Sequence, residues 1–159
     1  MHTYEAHTFN LPALPGISEK QITAHLGLYA GYVKHVNVLR EQIADLTALD
    51  KEKYAYAIME TRRRLGFEFN GMRMHEYYFT QFEGGPAPLS ADSGLGKAVA
   101  EKYGSVEEFI AHFTQVGMSR GIGWSVLYSD PQANTVHTAW VADHELGQLG
   151  GLPIILAMD

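Results

Sequence analysis

The sequence predicts an α+β protein: an N-terminal antiparallel helical hairpin, then an α/β domain with a three-stranded antiparallel sheet. Three observations carry this. Apolar residues recur at helical spacing through two long segments of the first half. A Gly-, Pro- and Ser-rich stretch, "EGGPAPLSADSG", then interrupts any regular element. Beyond residue 122 the apolar period shortens to that of strands.

The first 18 residues end in "NLPALPGIS", a Pro-punctuated extended lead-in. Ser18 can cap a helix there, and Gln21 stands three residues on, where a capping box closes. Ile22, His25, Leu26, Tyr29, Tyr32, Val33, Val36, Leu39, Ile43 and Leu46 then keep helical spacing, predicting a helix to about Ala48. A second helix is expected from about Lys51 to Phe82, with Leu65, Phe69, Met72, Met74, His75, Tyr78 and Phe79 on its apolar side. Two long helices with a short connection pack antiparallel. Residues 1–83 are therefore read as a hairpin domain, 84–91 as a linker and 92–159 as an α+β domain. In that second domain, helices are expected from about Asp92 to Tyr103 and from Ser105 to Val116, the latter opened by a Ser105/Glu108 capping box. "GWSVLYSD" and "TVHTAWVAD", joined by "PQAN", read as a strand hairpin, and "LPIILAMD" as a third, buried strand.

Composition narrows the function classes. The 159 residues are 46% hydrophobic and 19% charged, values of a globular chain with a sizeable core. The net charge of −6 argues against a nucleic-acid partner. The one basic cluster, "TRRRLGF", points its three guanidinium groups in three directions on a helix. Cysteine is absent, which removes disulfides, thiolate metal sites and a cysteine nucleophile. No apolar run is long enough to span a membrane. A soluble, cytoplasmic protein is expected.

Eight histidines make placement the question. His25 lies mid-helix on an apolar face shared with Tyr29 and Tyr32. His75 lies on the apolar face of the second helix. Each alone reads as a hydrogen-bonded core histidine more readily than as a ligand. Two inward imidazoles on adjacent helices call for a shared reason, and a metal ion supplies one. Asp159, at the tip of a strand whose apolar run predicts burial, needs a partner for its carboxylate. Two His and one Asp are the donor types of a redox-active iron or manganese site.

At these residues the chain resembles the iron/manganese superoxide dismutases. "AHLGLYAGYVKHVN" is similar to the family's first-helix motif, with His25 at the first ligand position and Tyr32 at the gateway tyrosine. "FNGMRMHEYYF" resembles the second-helix motif, with His75 as second ligand. "GIGWSVLY", "ADHELG" and "LPIILAMD" follow in the family's order, ending at the aspartate ligand, Asp159. The resemblance spans essentially the whole chain. It implies one iron or manganese ion per subunit, superoxide as substrate, O2 and H2O2 as products, and a homodimer or homotetramer. It further implies that His144 hydrogen-bonds the solvent at the metal, that Trp124 lines the site, and that Tyr32 gates access and relays protons. Gly71, four residues before His75, is small, as expected where that donor comes from the sheet.

Two departures accompany it. Tyr29 stands near the position where common members carry a further His. The family also continues as Asp-x-x-x-His into a closing helix, so three of four ligands are expected within this chain, which reads as truncated just after Asp159. His35, His112 and His137 do not fit the remaining ligand position. The alternatives are a non-catalytic module of the same fold and a metal-dependent hydrolase, for which no HExxH signature is present.

Overall fold

The computed structural model describes residues 2–159 and has the α+β architecture expected. Helix α1 spans Glu19–Asp50 and α2 spans Ala55–Thr80; α3 is Gly94–Tyr103 and α4 is Val106–Gly117. Strands β1 (Gly123–Asp130), β2 (Thr135–Ala142) and β3 (Ile154–Met158) form one sheet in the order β2-β1-β3, antiparallel throughout.

The capping box at Ser18 forms as expected: its hydroxyl accepts from Gln21 N–H at 3.2 Å, and the Gln21 side chain accepts from Ser18 N–H at 3.1 Å. The box at Ser105 forms only by half. Ser105 accepts from Glu108 N–H at 3.1 Å, but no reciprocal bond returns from the Glu108 side chain. The second helix starts four residues later than its apolar pattern suggested. Asp50 ends α1 by accepting from the backbone N–H of Glu52 and Lys53, which turns the chain before α2 begins. Likewise α3 begins at Gly94 and not Asp92, because Ser93 is its cap and accepts from Gly96 N–H at 2.9 Å.

Strand β1 is central and buried from Trp124 to Tyr128. Its alternation serves two cores. Trp124, Val126 and Tyr128 face the helical hairpin, packing with Tyr29, Val33 and Val36 of α1 and Met72, Met74, Tyr78 and Phe79 of α2. Leu127 faces the other way, toward Val99 of α3 and Val106, Phe109 and Phe113 of α4. The sheet thus lies between the hairpin and the short helices. The four-residue connection 131–134 is pinned by Asp130, whose carboxylate accepts from Gln132 N–H and Ala133 N–H. Asn134 takes φ 51°, a left-handed value that Asn tolerates.

The third strand corrects an expectation. It is an edge strand and only half-buried, with Ile155 and Met158 exposed. Its apolar run covers the side of the sheet without being enclosed. Residues 2–14 lie over the hairpin without regular structure, and a turn at 15–16 leads into α1. Tyr4 exchanges two hydrogen bonds with the Asn37 side chain, and Phe9 packs on Tyr29 and Phe79.

Candidate metal centre

His25 lies on the second turn of α1 beyond its cap, and α2 brings His75 across from it. The two rings meet edge to face with centroids 4.7 Å apart. Asp159, one residue past β3, completes the group. Its Oδ2 lies 2.9 Å from His25 Nε2 and 3.9 Å from His75 Nε2. One donor atom from each of the three residues lies within 4.8 Å of the other two. Nitrogen and oxygen donors ~2.0–2.2 Å from one ion stand roughly 3–4 Å from each other, so this spacing suits a shared cation.

The chemistry of the donors agrees. His25 Nε2 is buried and, despite the nearby carboxylate, has no hydrogen-bond partner. A buried nitrogen without a partner is costly unless something else satisfies it, and a cation among these three atoms would do so. His75 is 2% exposed, and its Nδ1 donates to the Gly71 carbonyl at 2.7 Å. That bond fixes the tautomer and leaves the Nε2 lone pair facing the group. Burial is the main reason that the His75 pKa falls to about 4, with the Gly71 bond opposing it and His25 adding to it. The imidazole is therefore neutral at pH 7, the state that can donate a lone pair.

Beside the triad runs a second chain of contacts. Trp124, the second residue of β1, donates from Nε1 to His144 Nδ1 at 2.9 Å. His144 sits in the turn after β2, held there as Asp143 N–H bonds Ile122 O and Ala142 bridges Leu146. With Nδ1 accepting, neutral His144 carries its proton on Nε2, which lies 2.9 Å from Tyr32 Oη. Burial lowers the His144 pKa and keeps the ring neutral; burial, then Glu68 and Asp159, raises that of Tyr32 and keeps the phenol protonated. Since Tyr32 Oη accepts from His144, the phenolic hydrogen is free to point elsewhere. The Tyr32 ring lies 5.0 Å from that of His75.

All six residues singled out in the sequence therefore gather in one place: His25, His75, Asp159, Tyr32, His144 and Trp124. Both His144 nitrogens are engaged by Trp124 and Tyr32, so its link toward the triad runs through the Tyr32 hydroxyl. Tyr29 does not join this chain. Its hydroxyl accepts from His7 N–H at 2.9 Å and donates to Glu76 at 3.2 Å, tying the N-terminal arm to α2. His112 bonds Thr138, His137 approaches Asp130, and His35 is exposed.

Sequence reasoning missed the Arg64–Glu68 pair beside Phe67, missed Gln81, and did not see what Gly71 adjoins. Arg64 pairs with buried Glu68 at 2.6 Å and lies over the Phe67 ring, whose other neighbours are Tyr32 and His144. The i,i+4 spacing of Arg64 and Glu68 was a usable signal. Gly71 was noted for its size, but its closest neighbour is Tyr32: a Cβ there would lie 2.6 Å from the ring. Gln81 reaches across to β3, and nothing in its sequence position indicates this.

Comparison with known proteins agrees with the geometry. Residues 91–159 match the family described as iron/manganese superoxide dismutases, C-terminal domain. An iron superoxide dismutase of Cupriavidus metallidurans is 32% identical over 149 residues, 92% of this chain and 73% of that protein. One from Saccharolobus solfataricus is 31% identical over 151 residues, 91% and 70% of the two chains. A manganese superoxide dismutase of Haloferax volcanii is 28% identical over 148 residues, 91% and 71%. With this similarity running through both the helical hairpin and the sheet, the chain belongs to the iron/manganese superoxide dismutase family.

Proposed function

We propose that the chain is a superoxide dismutase, turning two superoxide anions and two protons into O2 and H2O2, with His25, His75 and Asp159 as ligands of one iron or manganese ion. The observation that carries this reading is the convergence of His25 Nε2, His75 Nε2 and Asp159 Oδ2. Both metals appear in the names of its relatives. The bound ion would supply a one-electron couple that draws an electron from one superoxide and passes it to another.

The protein's own groups would do the rest. The Gly71 carbonyl holds His75 in the ligating tautomer. Tyr32 offers a protonated hydroxyl beside the triad, a proton source for the peroxide product. His144 orients that hydroxyl and Trp124 orients His144. Tyr32 also lines a groove between α1 and α2 with Gly31, His35, Arg64 and Glu68, a route by which a small anion could enter past a guanidinium. Self-association fits the same reading: Ile122 and Leu146, 80% and 71% exposed, lie near each other at one end of the sheet. Light scattering in solution tests it, with a single-chain mass counting against it.

The test of function is reconstitution with Fe2+ or Mn2+, followed by metal analysis and measurement of superoxide decay after a radiolysis pulse. One ion per chain and decay faster than with the free ion are expected, with both lost in His75→Ala. Stoichiometric metal without faster decay would favour a non-catalytic module.

A further inference from the structure

Strand β3 pairs with β1 along one edge only, and that pairing ends at Ser125 and Met158. On the other edge, one side chain meets the backbone at Ala157. Gln81 Nε2 donates to the Ala157 carbonyl at 2.7 Å, and Gln81 Oε1 accepts from Ala157 N–H at 3.2 Å. A primary amide offers one donor side and one acceptor side, so Gln81 reproduces the pair of bonds that a neighbouring strand would make. Ala157 is fully buried, so its backbone groups have no water to replace these bonds.

The placement of this clamp connects the two halves of the triad. Gln81 follows α2 directly, six residues after His75, and its own N–H bonds Tyr77 O and continues the helical path. Ala157 precedes Asp159 by two residues. At ~1.5 Å per helical residue, Gln81 stands about 9 Å along the axis from His75. At ~3.3 Å per strand residue, Asp159 stands about 7 Å beyond Ala157. The clamp is therefore a short mechanical link between the carboxylate and the imidazole, across a layer boundary that the chain itself crosses only through 76 residues of sequence.

We infer that Gln81 is a positioning residue for the metal centre: its amide holds β3 against α2 so that Asp159 meets His75 and His25 at ligating distance. This rests on the reading of the triad as a metal site. Protection of a bare strand edge would be a merely structural role for the same side chain, and the two roles differ in what they do to metal binding.

The experiment uses Co2+ as probe, with affinity measured by chelator competition and the visible d–d bands reporting coordination. It compares wild type, Gln81→Leu, Gln81→Asn, Asp159→Ala and the double variant Gln81→Leu/Asp159→Ala, each checked for folding by circular dichroism. Gln81→Leu is expected to lower Co2+ affinity by about 10–100-fold and to alter the bands, the usual size of effect for a group that orients a ligand. In the Asp159→Ala background the same change should have no further effect on the residual two-histidine affinity, because Gln81 acts through Asp159. Should Gln81→Leu not fold, Gln81→Asn, one methylene shorter, is expected to show the same dependence on Asp159. A folded Gln81 variant with wild-type affinity and bands overturns the proposal, as does an equal loss in both backgrounds. Wild type that fails to bind Co2+, or that binds no better than Asp159→Ala, overturns the metal reading itself and this inference with it.

Discussion

Gly71 works through what it lacks. A Cβ added there would stand 2.6, 2.7 and 2.9 Å from three atoms of the Tyr32 ring, distances that no side chain tolerates. Those atoms belong to the body of the ring, so Tyr32 would have to move as a whole, and its hydroxyl would leave His144. Gly71→Ala should therefore cost about 1–3 kcal/mol, the usual penalty for overpacking. It should also slow superoxide decay while the metal content stays high. A thermal melt and metal analysis on the same sample separate the two effects; unchanged turnover at full metal loading would count against the role of Tyr32. Tyr32→Phe removes only the hydroxyl. His144 Nε2–H then loses its acceptor in a buried site, at a cost of about 1–3 kcal/mol. With no phenol to supply a proton, conversion of superoxide to peroxide should slow more than conversion to O2. Pulse radiolysis resolves the two half-reactions, and equal slowing of both would sink the proton role.

The helices deliver these groups, and their ends are set by single residues. Ser18→Ala deletes the cap of α1 and should lower stability by about 1 kcal/mol, read as a shift in denaturant midpoint. His25 lies seven residues inside the helix, so metal stoichiometry should not change. The elements show where sequence is readable. Apolar spacing marks α1, α2 and the β1–β2 hairpin because burial on one face repeats with the geometry of the element. It overran the start of α2 because residues 51–54 suit a helix in composition while the Asp50 side chain turns the backbone there. It also placed β3 in the interior. The run "IILAM" is apolar enough for that, but only pairing partners decide which strand takes the edge. The six candidate site residues were legible because imidazole, carboxylate and aromatic side chains are chemically distinctive and recur here in a recognisable order. Gln81 was not, since it acts through backbone groups 76 residues away and any polar side chain after a helix looks the same in sequence.

At the scale of the whole molecule, the triad joins layers that otherwise meet through apolar packing and a few hydrogen bonds, Gln81 with Ala157 and His144 with Tyr32 among them: α1 supplies His25, α2 His75, and the edge of the sheet Asp159. A cation there would tie the hairpin to the sheet, and its removal should be felt as global stability. Metal-free protein also carries a pH dependence of known sign. His75 titrates near 6.5 in an unfolded chain but is lowered to about 4 in the fold, mainly by burial. Between these values the unfolded state binds the proton and the folded state does not. The stabilisation from this group is therefore full above about pH 6.5 and is lost as pH falls toward 4, with a span on the order of 3 kcal/mol. Bound metal adds stability of about 4 kcal/mol at a free concentration 1,000 times its Kd. That increment should shrink over the same interval, since protons compete for the imidazoles. Calorimetry at pH 7.5, 5.5 and 4.5 with and without Mn2+ should give a metal-free Tm that drops on acidification and a metal-induced gain that narrows with it. His75→Gln should flatten the metal-free slope and abolish the gain; a variant that kept the wild-type slope would show that the acid sensitivity lies elsewhere than at the buried imidazole.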